Sequence, residues 1–456
     1  MKFTSIHNVY FVGIGGIGMS ALARYFKSQG KEVSGYDKTI TELSVQLERE
    51  GISIHYDDHG ARVLSGFDKE STLVIYTPAI PKDHKELNAF LDNDFTVIKR
   101  AKALGIISSE FETFAVAGTH GKTTTSTILA HVLHNTSEKC NAFIGGISSN
   151  YHSNCIIEPS SKRVVVEADE FDRSFLQLDP NYAIVTSMDA DHLDIYGDGD
   201  HLKKSFNDFI NRINLAGSLM IQANLDISKF TIDSKLKMST YGFSKNANWK
   251  GENARYENGR FLFDISGPTK KYLNVELGIP GNHNAENAIA VFGLCMELGI
   301  DEINLRNSLI SFKGVHRRFD FLIRREDIVV IDDYAHHPTE IEAFLSAVRK
   351  LYPTKKITAI FQPHLFSRTR DFMDGFATSL ALCDELFLLD IYPARELPME
   401  GVTSQVLLNK ISMKSKTLSS KSSIVSDLKK SEREVIVIIG AGDIDTCVKP
   451  ITEAYQ

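Results

Sequence analysis

Twice in this chain an apolar strand runs into a glycine turn and straight on into a helix: "VYFVGIGGIGMSALA" from Val9 and "FAVAGTHGKTTT" from Phe114. Strands that alternate with helices in this way build parallel, doubly wound sheets. The same alternation recurs in "EVSGYD", "STLVIYTPAI", "FTVIKR", "RVVVEAD" and "YAIVTSM", and near the end in "IVVID", "KITAIFQ", "ELFLLDI" and "EVIVIIG". "NWKGENARYENGRFLFDI" breaks the pattern, because alternating residues around Asn258-Gly259 signal an antiparallel hairpin. At 456 residues the chain has room for about three domains. The expected class is α/β: a Rossmann-like domain over 1–108, a P-loop-type domain with a small antiparallel sheet over 109–314, and a second Rossmann-like domain over 315–456 with all its strands parallel.

The turn at Gly118 departs from the usual phosphate loop. The pattern G-x-x-x-x-G-K-[ST] puts its first glycine at position 116, where this chain has Val116 and carries Gly118 instead. The segment Gly118, Thr119, His120, Gly121, Lys122, Thr123 and Thr124 still joins a strand end to a helix. Backbone N–H groups and the helix dipole there suit an anion. Lys122 supplies a cation for the β- and γ-phosphates of ATP, and the Thr123 hydroxyl is placed for Mg2+. The next strand ends in "EADEFD", with Glu167, Asp169, Glu170 and Asp172, and the one after in "DADHLD", with His192 among Asp189, Asp191 and Asp194. Beside an ATP loop these acids read as magnesium sites.

Gly13, Gly15 and Gly18, with Gly16 and Ile17 completing the turn and Asp37 following Gly18 at 19 residues, form a dinucleotide-type fingerprint. NAD, FAD and a sugar nucleotide all fit it. The third part gathers cations and histidines near strand ends in "GVHRRFD", "DDYAHHPTE" and "FQPHLFSRTRD", where His364, Arg368 and Arg370 suit a carboxylate or phosphate. His336 and His337 are adjacent, and neighbours on a loop rarely chelate one ion.

Composition narrows the function classes. A net charge of −7 argues against a general nucleic-acid binder, and the five scattered cysteines point to a reducing compartment and away from zinc. The apolar N-terminus reads as a buried strand rather than a signal peptide, and no run approaches the ~18 apolar residues of a membrane span. The expected location is the cytosol, without membrane insertion.

"FVGIGGIGMSALA", "GTHGKTTT", "EADEFD", "DADHLDIYGD", "IPGNHNAENAIA", "FKGVHRRFD", "DDYAHHPTEI", "YPARELPMEGVTS" and "GAGDI" follow one another as they do in the Mur ligases of bacterial cell-wall synthesis, which this chain closely resembles. That family uses the short G-T-[HN]-G-K-T loop, and its fingerprint domain holds a UDP-sugar. The resemblance implies ATP and Mg2+ as cofactors, UDP-N-acetylmuramate and L-alanine as substrates, and an acyl-phosphate intermediate. It leaves the oligomeric state open. It also implies catalytic roles for Lys122, Glu167, His192 and Arg318, and metal ligation by Thr123, Glu167 and His192. His283, Asn284 and Asp333 would join the phosphate loop in binding ATP. Gly15, Gly16, Ile17, Asp37, Tyr334, His336, His364 and Arg368 would hold the substrates. Leu365 and Phe171 depart from the residues common at their positions in the family. A ligase of the same family that recycles tripeptide is the nearest alternative. A nicotinamide-dependent dehydrogenase would leave "GTHGKTTT" without a purpose.

Overall fold

The computed structural model describes residues 3–137, 139–189, 199–257, 260–394 and 396–456. The chain groups into two compact units. One comprises Met1–Asn253, Phe263–Glu276 and Glu286–Phe312, and the other Ala254–Leu262, Leu277–Ala285 and Lys313–Gln456.

In the first unit, β1 (Asn8–Val12) is flanked by α1 (Ile17–Ser28) and followed by β2 (Glu32–Tyr36), α2 (Glu42–Arg49), β3 (Ser53–His55), β4 (Thr72–Tyr76), α3 (Lys85–Asp92), β5 (Thr96–Lys99) and α4 (Arg100–Ser108). The five strands are parallel in the order β3-β2-β1-β4-β5. Val9 to Val12 of β1 are buried, as a central strand covered on both faces requires. The strand order runs one way from β1 to β3 and the other way from β1 to β5, so the turn after β1 lies at a topological switch point. Helix α1 buries Met19, Ala21, Leu22, Ala23 and Phe26 against the sheet, and Gly30, at φ 73°, takes the left-handed position just beyond it.

The next sheet contains β6 (Glu112–Ala117), β7 (Asn141–Ser148), β8 (Ser153–Ile156), β9 (Arg163–Ala168), β10 (Tyr182–Val185), β11 (Ser218–Gln222), β12 (Lys237–Gly242), β13 (Trp249–Glu257), β14 (Arg260–Ser266) and β15 (Lys271–Leu277). Their order is β15-β14-β13-β12-β11-β10-β6-β9-β7-β8, with β6 central. Helix α5 (Lys122–His134) leaves β6 through the phosphate loop, and α6 (Gly199–Ile210) follows β10. Strands β13 and β14 are sheet neighbours, as an antiparallel hairpin signal there requires, while Asn258 and Gly259 themselves lie outside the described residues. Helix α7 (Asn282–Glu297) buries Ala285, Ala288, Ile289, Phe292 and Cys295 completely, matching their helical spacing, and α8 (Glu302–Ser311) follows.

The second unit holds β16 (Asp320–Arg324), β17 (Val329–Asp333), α9 (Pro338–Leu351), β18 (Ile357–Phe361), α10 (Phe366–Asp371), β19 (Glu385–Leu388), β20 (Lys416–Leu418) and β21 (Val435–Ile439), with strands ordered β16-β17-β21-β18-β19-β20. One expectation needs correction. The sheet is not wholly parallel: β16 pairs antiparallel with β17, because the four residues between them are too few for a crossover. No described helix is long and apolar enough to cross a membrane.

Candidate active site

The displaced glycine of the phosphate loop has a steric cause. Gly118 sits at φ 142°, and a Cβ there would overlap the Thr186 hydroxyl at the end of β10. The loop is pinned to that strand end: Thr119 N donates to Ser187 O at 3.2 Å, and His120 N to Ser187 Oγ at 2.7 Å. The Thr119 hydroxyl accepts from Asp189 N at 3.0 Å. Gly121, at φ 79°, caps α5 in the left-handed conformation. Thr123 and Thr124 follow, both buried in the first turn.

Lys122 curls back over this loop. Its Nζ donates to Gly118 O at 2.6 Å and lies 2.8 Å from Glu170 Oε2. Burial pushes the ammonium pKa down, but Glu170, Asp169 and Glu167 outweigh it and raise the value to about 12. Three carboxylates therefore face one lysine, an oxygen-only donor set with negative charge in excess. Glu167 rests on bare backbone: Gly145 N donates to its Oε2 at 3.1 Å, and a Cβ on Gly145 would fall inside the carboxylate. After β9 the chain passes through Asp172 and Arg173 at φ 52° and 54°, two consecutive left-handed residues beside Phe171.

At the fingerprint turn, Gly15 N donates to Asp37 Oδ2 at 2.7 Å, so the acid expected on the ligand is folded onto the turn itself. Gly16 is the N-cap of α1, and Ile17, its first residue, is 37% exposed. The turn is joined to β8 through Asn154, which donates to Ile17 O and to Ser20 Oγ and accepts from the Arg24 guanidinium.

The residues expected from the C-terminal region meet within the second unit. Tyr334 has the Arg318 guanidinium 4.9 Å from its ring centre and that of Arg317 at 5.2 Å. Asp333 is buried with both oxygens on main-chain N–H groups, those of Phe319 at 2.7 Å and Ala335 at 2.8 Å, so it shapes the turn that presents Tyr334. His336 N donates to Glu340 Oε2 at 3.0 Å, and the His336 ring stands 6.1 Å from that of His364. His364 stacks on Tyr392, and Arg368 is buried on α10. Burial lowers the His336 pKa to about 4, with Glu340 opposing and Arg368 reinforcing, and lowers His283 to about 4 as well, with Glu340 opposing and Arg318 reinforcing. Both rings are neutral at pH 7. Asn284, next to His283, donates to Pro280 O at 2.6 Å.

His192, with Asp191 and Asp194, lies outside the described residues. Gly145, Ser187 and Asn154 were not expected beside the two glycine turns. The Gly145-Gly146 pair inside a strand pattern is the one signal that pointed to a close approach. Among the described residues, His55, His59 and Glu86 form the one other grouping with metal-ligand chemistry. Their geometry is that of a hydrogen-bonded cluster. The two rings stack 4.2 Å apart at 7°, so their in-plane lone pairs do not converge. Glu86 already accepts from His55 Nε2 at 2.8 Å, His59 N at 2.7 Å and Tyr10 OH at 2.6 Å.

Family models match three successive parts of the chain. Residues 8–112 match the Mur ligase family catalytic domain, 116–295 the Mur ligase middle domain, and 317–444 the Mur ligase glutamate ligase domain. The chain belongs to the Mur ligase family. Among curated relatives of this Mur ligase, UDP-N-acetylmuramate–L-alanine ligase of Christiangramia forsetii is 49% identical, with 98% of each chain covered. The enzyme of the same name from Flavobacterium psychrophilum is 51% identical, again over 98% of each chain. The crystal structure of UDP-N-acetylmuramate-alanine ligase from Thermotoga maritima superposes with a TM-score of 0.84 at 30% identity, covering 98% of this chain and 99% of that one. The fold is thus the three-domain α/β fold of that structure.

Proposed function

We propose that this chain joins L-alanine to UDP-N-acetylmuramate at the expense of ATP, giving UDP-N-acetylmuramoyl-L-alanine, ADP and phosphate for peptidoglycan precursor synthesis. The observation that carries the reading is likeness over the whole chain to ligases of that name, supported by Lys122 lying over the phosphate loop beside Glu170. Residues 1–108 would bind the UDP-sugar at Gly15, Gly16, Ile17 and Asp37. Residues 109–314 would bind ATP, and 315–456 would bind ATP and the amino acid. Its place of work would be the cytoplasm.

A carboxylate oxygen of the muramoyl group attacks the γ-phosphorus of ATP, and the bond to the ADP oxygen breaks, leaving an acyl phosphate. The alanine amine attacks the acyl carbon, an N–H proton is lost, and phosphate departs. The first step drives two anions together, so fixed cations at short range are the main requirement. Lys122 meets it from the loop, and Arg318 is the further cation that the family resemblance implies. Thr123 and Glu167, with His192, would hold Mg2+, whose hard-oxygen preference fits the excess carboxylates around Lys122. When bound, the ion neutralises phosphate charge. His283, Asn284 and Asp333 would frame the nucleotide, Asp333 by fixing the turn that presents Tyr334. Tyr334, His336, His364 and Arg368 hold the acceptor, and neutral His336 adds no charge against the alanine ammonium.

The test is phosphate release from ATP and Mg2+ with UDP-N-acetylmuramate present, comparing L-alanine, glycine, L-serine and the tripeptide. Release dependent on L-alanine, with the amide product seen by mass spectrometry, is the expected result. Release with tripeptide alone moves the chain to the recycling reaction, and no release with any acceptor overturns the ligase reading.

A further inference from the structure

Arg100 opens α4 at the C-terminal edge of the first sheet, directly after β5. Its guanidinium lies over the fingerprint turn: Nη1 is 3.0 Å from where a Cβ on Gly18 would stand, and Cδ is 3.1 Å away. Gly18 is therefore bare where an arginine covers it. The other end of the guanidinium reaches the acidic strand end of the next sheet, with Nη2 3.5 Å from Asp169 Oδ2. Arg100, Glu167 and Asp169 line one small pocket there. Lys99, the preceding residue, pairs with Asp172 at 3.0 Å. Two consecutive cations thus tie the sugar-nucleotide side of the unit to the acids beside the phosphate loop.

The Arg100–Asp169 pair is loose. At 3.5 Å it exceeds a good charge-assisted hydrogen bond, and the Asp169 side chain is 37% exposed. A pair this long, with its carboxylate end open to solvent, contributes little, so exchanging the partner is cheap. A diphosphate lying on the N-terminus of α1 would offer this guanidinium a bidentate anion at closer range. We propose that Arg100 binds the diphosphate of the UDP-sugar and gives up Asp169 when it does. Occupancy of the fingerprint turn then releases a carboxylate beside the ATP loop. The inference rests on the reading of that turn as the UDP-sugar site.

The experiment is calorimetric titration of the full chain with UDP, with UDP-N-acetylmuramate and with ATP, for the wild type and for Arg100→Met, Arg100→Lys and Asp169→Asn. Arg100→Met is expected to weaken both UDP and UDP-N-acetylmuramate by about tenfold or more. An unchanged urea midpoint reports that the variant is folded. Arg100→Lys should fall between, because lysine keeps the charge and loses the fork. Asp169→Asn should tighten UDP by removing the competing anion, and this arm stands whether or not the Arg100 variants fold. Unchanged UDP affinity in Arg100→Met overturns the inference, and so does weakening confined to UDP-N-acetylmuramate, which would put the guanidinium on the carboxylate. A wild type that binds ATP but neither UDP ligand overturns the reading of the site itself, a distinct outcome.

Discussion

The Glu167 carboxylate rests on the main chain of Gly145, whose N–H donates to Oε2 at 3.1 Å and whose missing side chain leaves the space the carboxylate fills. Gly145→Ala therefore has to move Glu167 off the position from which it would hold the cation. A misplacement of about 1 Å at such a site costs on the order of 100-fold in turnover. The expected result is ATP binding that needs much higher Mg2+ than in the wild type, read by titrating ATP at several Mg2+ concentrations. A wild-type Mg2+ requirement in Gly145→Ala would remove Glu167 from the cation site.

Gly118 is held to glycine twice over, by a φ of 142° and by the Thr186 hydroxyl. Gly118→Ala should cost about 2 kcal/mol of stability through strain alone, and should abolish measurable ATP binding by displacing Thr119 and His120 from Ser187. Adding Val116→Gly, which restores the common spacing, should not rescue it, because the path of the loop is set by Thr186 and Ser187. Urea unfolding and ATP titration of the single and double variants check both claims. Restored ATP binding in the double variant would mean that spacing alone determines the loop.

Both glycine turns were legible in the sequence because strand, turn and helix are local, and glycine is the residue that a left-handed or crowded backbone demands. The central strands were legible for the same reason, as unbroken apolar runs. What escaped depends on partners far along the chain. Glu167 and Gly145 are 22 residues apart, and Arg24 and Asn154 are 130 apart. No periodicity marks such pairs, since a single glycine or asparagine takes its role from whatever the fold brings against it. The antiparallel β16 escaped because a strand's direction follows from the length of its connection, while its composition is like that of its parallel neighbours. Asp333 was read as a ligand contact from its motif, and its position on two main-chain N–H groups is visible only once the turn at Phe319 is formed.

Asn154 is fully buried between β8 and α1, donating to Ile17 O and Ser20 Oγ and accepting from Arg24, which is itself held by Glu50 at 2.8 Å. Asn154→Ala strands a buried guanidinium N–H and removes the donor to Ile17 O and Ser20 Oγ in the first turn of α1. The expected loss is about 2–3 kcal/mol, from leaving buried polar groups unsatisfied. Because the same turn would bind the UDP-sugar, UDP affinity should fall with it. ATP affinity should not. Chemical denaturation and the two nucleotide titrations separate these effects, and equal losses for both nucleotides would show general unfolding in place of a local one.

Asp332 lies in β17, 1% exposed, with Arg317 Nε at 3.4 Å from its Oδ2. Burial raises its pKa to about 7, Arg317 opposes the rise, and Asp333, Asp320 and Asp445 add to it. The folded value exceeds the unfolded one, so between about pH 4 and pH 7 the native state carries more protons than the unfolded chain. Stability from this group is complete below the unfolded pKa and is lost as pH rises through the folded value. Asp332→Asn cannot ionise and escapes that loss. The stability of the variant relative to wild type should therefore increase from pH 5 to pH 8, by on the order of 2 kcal/mol. Any constant cost of weakening the Arg317 contact shifts the whole curve without changing its slope. Hydrogen exchange of the β17 and β21 amides at both pH values reads the difference within the second unit. A gap between variant and wild type that does not change with pH would mean that Asp332 is ionised throughout, held by Arg317 against the burial.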